Sequence, residues 1–136
     1  MPLDPARVAE ARAWLRKAEQ DLRAAEHERK ANPPLTSDIV FHAQQLAEKS
    51  LKALMSWHDR PFRKTHNLVE LGHQCVELVP ELEDLLRRAA ALTEYAWKFR
   101  YPGEPEEPSA EEADEALDLA RQVYVAIRSR LAEAQP

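Results

Sequence analysis

Glycine is almost missing from this 136-residue chain: Gly72 and Gly103 are its only two. That scarcity, beside abundant Ala, Leu, Glu and Arg, sets aside a turn-rich β architecture and points to an all-α protein. Cysteine is scarcer still. Cys75 stands alone, which excludes an intramolecular disulfide framework and suits a reducing cytoplasm. No run approaches the ~20 apolar residues of a membrane span, and Met1-Pro2-Leu3-Asp4-Pro5 is unlike a signal peptide. The expectation is a cytoplasmic protein with no membrane partner. Positive charge is not in excess either. A net charge of −5 excludes indiscriminate nucleic-acid binding by the whole surface but leaves a local basic groove possible.

What the chain does have is proline, ten of them, placed as punctuation between helical patterns. Asp4-Pro5 starts a first helix to about Lys30, with Val8, Ala11, Leu15, Ala18, Leu22 and Ala25 in heptad spacing. Pro33-Pro34 ends it. Ser37 or Asp38 caps a second helix to about His58. After the loop Asp59–His66, Asn67 with Glu70 reads as a capping box for a short third helix bearing Leu68, Leu71, Cys75 and Leu78. Pro80 opens a fourth, buried along Leu82, Leu85, Leu86, Ala89, Leu92, Ala96 and Phe99, and ending at Arg100-Tyr101-Pro102-Gly103. An acidic loop follows, then Ser109 with Glu112 boxes a last helix through Leu131. The pattern predicts a single domain over residues 1–136, an antiparallel up-and-down four-helix bundle with one additional short helix.

The second helix is the most informative. At about 100° per residue, His42, Gln45, Lys49, Lys52 and Ser56 fall in one narrow stripe with Glu48 on its border. Val40, Ala43, Ala47, Leu51, Leu54 and Met55 lie opposite, and Ile39, Leu46, Ala53 and Trp57 widen the apolar side. An ordinary surface helix needs an apolar stripe of only roughly 100°. This one therefore belongs inside a bundle or across a dimer, with a basic strip left exposed. His42, Lys49 and Lys52 can donate together to anionic oxygens; the plainer reading is a solvated face balanced by Glu48. Lys64, Thr65 and His66 precede a helix N-terminus and could form an anion site there. Equally, Thr65 caps, His66 bonds a neighbouring carbonyl, and Lys64 alone meets a ligand. Arg100 is either a helix C-terminal cation or a phosphate-reading guanidinium. His58, His66, His73 and Cys75 lack convincing metal-ligand spacing, so no metal site is expected. Trp14, Trp57 and Trp97 read as core or interface residues rather than base-stacking platforms.

Phe41-His42-Ala43-Gln44-Gln45 running into Ala47-Glu48-Lys49 and Leu51-Lys52-Ala53-Leu54 resembles the signature helix of HEPN domains, the higher-eukaryote and prokaryote nucleotide-binding domains. Lys64-Thr65-His66-Asn67-Leu68 is similar to the loop and helix start that follow it, and Tyr95 through Arg100-Tyr101-Pro102 to the end of a later family helix. The likeness spans roughly residues 8 to 130. It implies a helical bundle, usually a homodimer, often beside a separately encoded minimal nucleotidyltransferase in toxin–antitoxin-like pairs.

Many members of that family are metal-independent ribonucleases using an Arg, four to six residues, and a His. The chemistry pairs a cation on the pentavalent phosphate with an imidazole that moves the proton. Here Arg100 matches the arginine, but Pro105, Glu106 and Glu107 occupy the histidine's positions. Carboxylates there repel a phosphate. Arg60 and His66 have the right spacing, but at another place in the chain. The expectation is accordingly a non-catalytic module with no cofactor. It binds nucleotide or nucleic acid, or serves as the substrate-binding partner of a nucleotidyltransferase, through His42, Lys49, Lys52, Lys64, His66 and Arg100. The first alternative is a ribonuclease toxin using Arg100 or Arg60 with His66. The second is a purely structural dimeric module.

Overall fold

Asp4 opens the first helix as expected: its carboxylate accepts from the Ala6 N–H at 2.9 Å, and Pro5 takes the first helical position. The computed structural model describes residues 3–103 and 106–134. Helix α1 (Pro5–Arg29) turns Ala11, Ala18 and Ala25 inward, each wholly buried and seven residues apart. Small side chains at that spacing leave a shallow seam, and α2 (Thr36–Trp57) lies along it.

Neither Ser37 nor Asp38 caps α2. The cap position is Leu35, two residues before Ser37, and it makes no side-chain cap. Ser37 is already helical, and its hydroxyl donates instead to Glu107 at 2.7 Å. At the other end Asp59 adopts the left-handed backbone (φ 54°), the Arg60 N–H bonds the Met55 carbonyl at 2.8 Å, and the Asp59 N–H bonds Ser56 at 3.1 Å. This is a Schellman stop, with Asp in the place glycine usually takes.

Helix α3 (Leu68–Leu78) begins at the expected Asn67, whose side chain accepts from Val69 (2.9 Å) and Glu70 (3.4 Å). Glu70 does not close the box, because its carboxylate holds Arg63. Cys75 is core: its thiol sits 3.6 Å from the Leu51 carbonyl, and burial pushes its pKa up to about 12.

The fourth element departs most from expectation. One continuous helix from Pro80 is replaced by a 3₁₀ turn (Pro80–Leu82), a seven-residue helix α4 (Glu83–Ala89), and a second 3₁₀ stretch (Ala90–Ala96). The physical reason is visible in the buried line, which is Leu86, Ala89, Leu92 and Tyr95. A repeat of three matches the 3.0 residues per turn of a 3₁₀ helix, not 3.6. Tyr95 takes the inward place expected for Ala96, and its hydroxyl donates to Glu112 on α5 (Ala110–Glu133). Ser109 caps α5 by accepting from the Glu112 N–H at 3.0 Å.

The outcome is three long helices, α1, α2 and α5, with shorter pieces closing one side. Helix α2 is the hub, packed by α1, α3, α5 and the 90–96 stretch. Sixteen of its 22 residues are buried, among them Gln44, Glu48, Ser50 and Lys52. The bundle alone thus accounts for its broad apolar girth, with no second copy required. Among the described residues no helix is long and apolar enough to cross a membrane.

Candidate functional site

The stripe His42–Lys49–Lys52 is not an open basic surface. Each of the three side chains has its own carboxylate. His42 Nδ1 lies 2.8 Å from Glu28, Lys49 Nζ 2.7 Å from Asp21, and Lys52 Nζ 2.9 Å from Glu48. Two of those acids stand on α1, so the expected exposed strip is the polar margin of the α1–α2 seam. Lys52 is the most enclosed. Its ammonium also faces the rings of Trp14 (5.3 Å) and Phe62 (5.6 Å), which meet edge to face. Trp14 is therefore half-buried packing and Trp57 is core, whereas Trp97 is 54% exposed and so is not a core residue.

Glu48 organises what lies above. One carboxylate oxygen takes Lys52; the other takes His66 Nδ1 at 2.8 Å and Gln44 Nε2 at 3.1 Å. Gln44 Nε2 also donates to the His66 backbone carbonyl at 3.0 Å, and Gln44 Oε1 accepts from Gln45 at 2.7 Å. Burial pushes the Glu48 carboxyl up, but hydrogen bonds from Lys52, His66 and Gln44 outweigh it and leave the group below its usual range. His66 is thus clamped at Nδ1 to a buried carboxylate rather than to a carbonyl, while its side chain stays 64% exposed. With Nδ1 facing an acid, the proton belongs on Nδ1 and the Nε2 edge is left for solvent or ligand.

Arg100 reaches the same helix. Its guanidinium carbon stands 3.8 Å from the Phe41 ring centroid, a stacked cation–π contact. The approach follows Phe99, which holds a left-handed backbone (φ 67°), rare for a bulky residue, with its ring stacked on Tyr95. Phe41, Gln44, Gln45 and Glu48 form one stripe of α2 by helical spacing. Arg100 over Phe41 and His66 on Glu48 are therefore seven residues apart, or about 10 Å along the axis.

The remaining candidates do not converge as neatly. Lys64 is exposed and makes no side-chain bond among the described residues. The α3 N-terminus is not an open anion cradle. Asn67 N–H bonds Thr65, Leu68 N–H bonds Thr93, and the next two donors bond Asn67. Arg60 turns to Glu77 on α3 at 2.9 Å rather than joining His66. Of the residues replacing the family histidine, Pro105 lies outside the described residues, while Glu107 holds Ser37 at the start of α2. Reading the residues in order missed Asp21 and Glu28, because a partner on another helix leaves no local signal. Glu48–Lys52 was legible as an i,i+4 pair.

Comparison with known proteins fits this geometry. A family model described as "HEPN domain" matches residues 11–130. The solved structure of TT1696 from Thermus thermophilus is 31% identical with a TM-score of 0.72, covering 88% of this chain and 97% of that one. ST0689, described as an archaeal HEPN homologue, is 20% identical with a TM-score of 0.67, covering 90% and 98% respectively; at that identity the likeness speaks for the fold alone. No curated protein matches the chain. With the family model spanning nearly all of its length, the chain belongs to the HEPN domain family.

Proposed function

We propose that this chain is a non-catalytic HEPN module that binds a phosphate-bearing ligand, a nucleotide or a nucleic-acid end, across the Arg100–His66 stripe of α2. We propose further that it works as a homodimer, beside a minimal nucleotidyltransferase whose substrate it holds. One observation carries the reading: a guanidinium lies over Phe41 and an oriented imidazole on Glu48, two residues of one helix stripe spaced about 10 Å along its axis. That separation suits two contacts on one ligand. Lys64 adds exposed positive charge, and the Gln45 amide lies between the two. His42, Lys49 and Lys52 contribute by shaping the stripe from beneath, since their charges are already paired.

Titration of the protein with a fluorescent nucleoside triphosphate is expected to saturate and to weaken with salt. Arg100→Ala with His66→Ala should weaken it at least tenfold, from the ~1.5 kcal/mol or more of a single charged hydrogen bond. Unchanged affinity in the double variant overturns the assignment. Co-purification with a nucleotidyltransferase tests the partner.

A second reading is favoured by the Glu48–His66 pair, since a carboxylate-oriented imidazole is what a general base requires. As a ribonuclease the protein would cleave single-stranded RNA without metal and leave 2′,3′-cyclic phosphate ends, and His66→Ala would abolish the cut. No cleavage at large enzyme excess removes that reading.

A further inference from the structure

The outer face of α1 carries a line of positive charge that the Arg100–His66 surface does not use. Arg16, Gln20, Arg23, His27 and Lys30 recur at intervals of four, three, four and three, the spacing of one helical stripe. All five are exposed. They lie diametrically opposite Ala11, Ala18 and Ala25, the side buried against the bundle. Among the described residues, Arg16, Arg23 and Lys30 form no ion pair, in contrast to His42, Lys49 and Lys52. Arg12, one turn earlier on the same line, already has an interaction within the protein and is not counted. From Arg16 to Lys30 the line runs about 21 Å.

Two shallow concavities flank its C-terminal half. One, about 500 Å³, is bordered by Gln20, Arg23, His27 and Lys30; its only acid is Glu26. The second, about 310 Å³, adds Arg29 and Arg121 around the same Glu26. Arg121 lies 3.5 Å from Glu26 and Arg29 2.8 Å from Asp114, so these two acids are already engaged; the exposed Glu19 is the one acid at helical spacing from both Arg16 and Arg23. No large apolar side chain interrupts the line. A protein partner would ordinarily need aromatic or aliphatic anchors at the centre of its contact. Guanidinium and ammonium groups with amide and imidazole between them fit phosphate oxygens instead.

We propose that the outer face of α1 is a contact surface for the phosphodiester backbone of a nucleic acid, bound by Arg16, Arg23 and Lys30. The whole chain is acidic, with a net charge of −5, so this line of unpaired cations is a local exception to its overall charge. The surface shares no residue with the Arg100–His66 stripe, so the two assignments fail independently.

The test is fluorescence anisotropy with a labelled 20-nucleotide oligouridine, repeated with a 20-base-pair DNA duplex. Three phosphate contacts to a single strand give a slope near −2 in log affinity against log salt, so raising salt from 50 to 200 mM should weaken RNA binding roughly 20-fold. Arg16→Gln, Arg23→Gln and Lys30→Gln together should abolish that salt dependence and most of the affinity. Arg16→Lys with Arg23→Lys should keep both, while nucleotide binding at Arg100–His66 stays unchanged in every variant. Tighter binding of the RNA or of the duplex identifies the source, and either supports the proposal. Undiminished affinity and slope in the triple glutamine variant overturn it. So does displacement of the RNA by poly-glutamate at equal charge, which would make the line a site for acidic protein.

Discussion

Replacing Glu48 with Ala should lower the melting temperature by roughly 10–15 °C, the largest effect expected of any polar substitution in this protein. The carboxylate is 3% exposed and serves Lys52, His66 and Gln44 at once. Its loss leaves the Lys52 ammonium buried without a counter-charge. Breaking such a pair costs about 3–5 kcal/mol. The Trp14 and Phe62 rings offset little of that, since a cation–π contact contributes about 0.5–2 kcal/mol. Removing both charges should restore most of the loss, so Glu48→Leu with Lys52→Met should melt near the wild type. A melting curve for each variant decides the matter; a Glu48→Ala protein within about 3 °C of wild type would show the pair to be energetically idle.

The same group fixes an acid limit. Glu48 has a folded-state pKa below its ordinary 4.5, so the unfolded chain binds the proton more readily. Its contribution is complete above about pH 4.5 and is lost as pH falls through the lower folded value. Glu48→Gln should flatten that part of the acid-unfolding curve.

Ala18→Leu is expected to cost about 2–3 kcal/mol, the upper part of the overpacking range. Ala18 has no exposure at all and sits midway along the alanine line by which α1 meets α2. A leucine there has no solvent to escape into, so the two helices must separate or the side chain must leave its preferred rotamer. Helix propensity hardly changes between Ala and Leu, which isolates the packing effect. Ala13→Leu, on the exposed side of the same helix, should shift stability by no more than about 0.5 kcal/mol. Equal chemical-denaturation midpoints for the two variants would refute the seam.

The long helices were legible because their patterns are local. Alanines at 11, 18 and 25, the Asn67 and Ser109 caps, and the apolar width of α2 are each contained within a single helix or its cap. The 3₁₀ segments were not. Leu82, Leu85, Leu86, Ala89, Leu92, Ala96 and Phe99 satisfy a 3.6-residue repeat, and only packing against α2 and α3 selects the three-residue repeat that buries Tyr95. The candidate site was half readable. Arg100 and His66 stood out by residue type and resemblance, but nothing near them in the chain announces Phe41 or Glu48 as their supports. The α2 cations misled for the same reason. Lys49 and His42 look free until Asp21 and Glu28 arrive from α1.

One carboxylate answering to two partners, one inside and one outside, makes their fates unequal. Loss of His66 leaves the interior pair whole, and the cost is that of an exposed contact, about 0–1 kcal/mol. Loss of Glu48 removes both at once. Position 66 is therefore open to drift as far as folding is concerned, held only by whatever the imidazole does for a ligand. Position 48 answers to folding and, on the binding role proposed above, to the ligand together. On that role, exchange of the outer residue alters recognition while the inner ones stand still, so new specificity can arise here without first surviving an unstable intermediate.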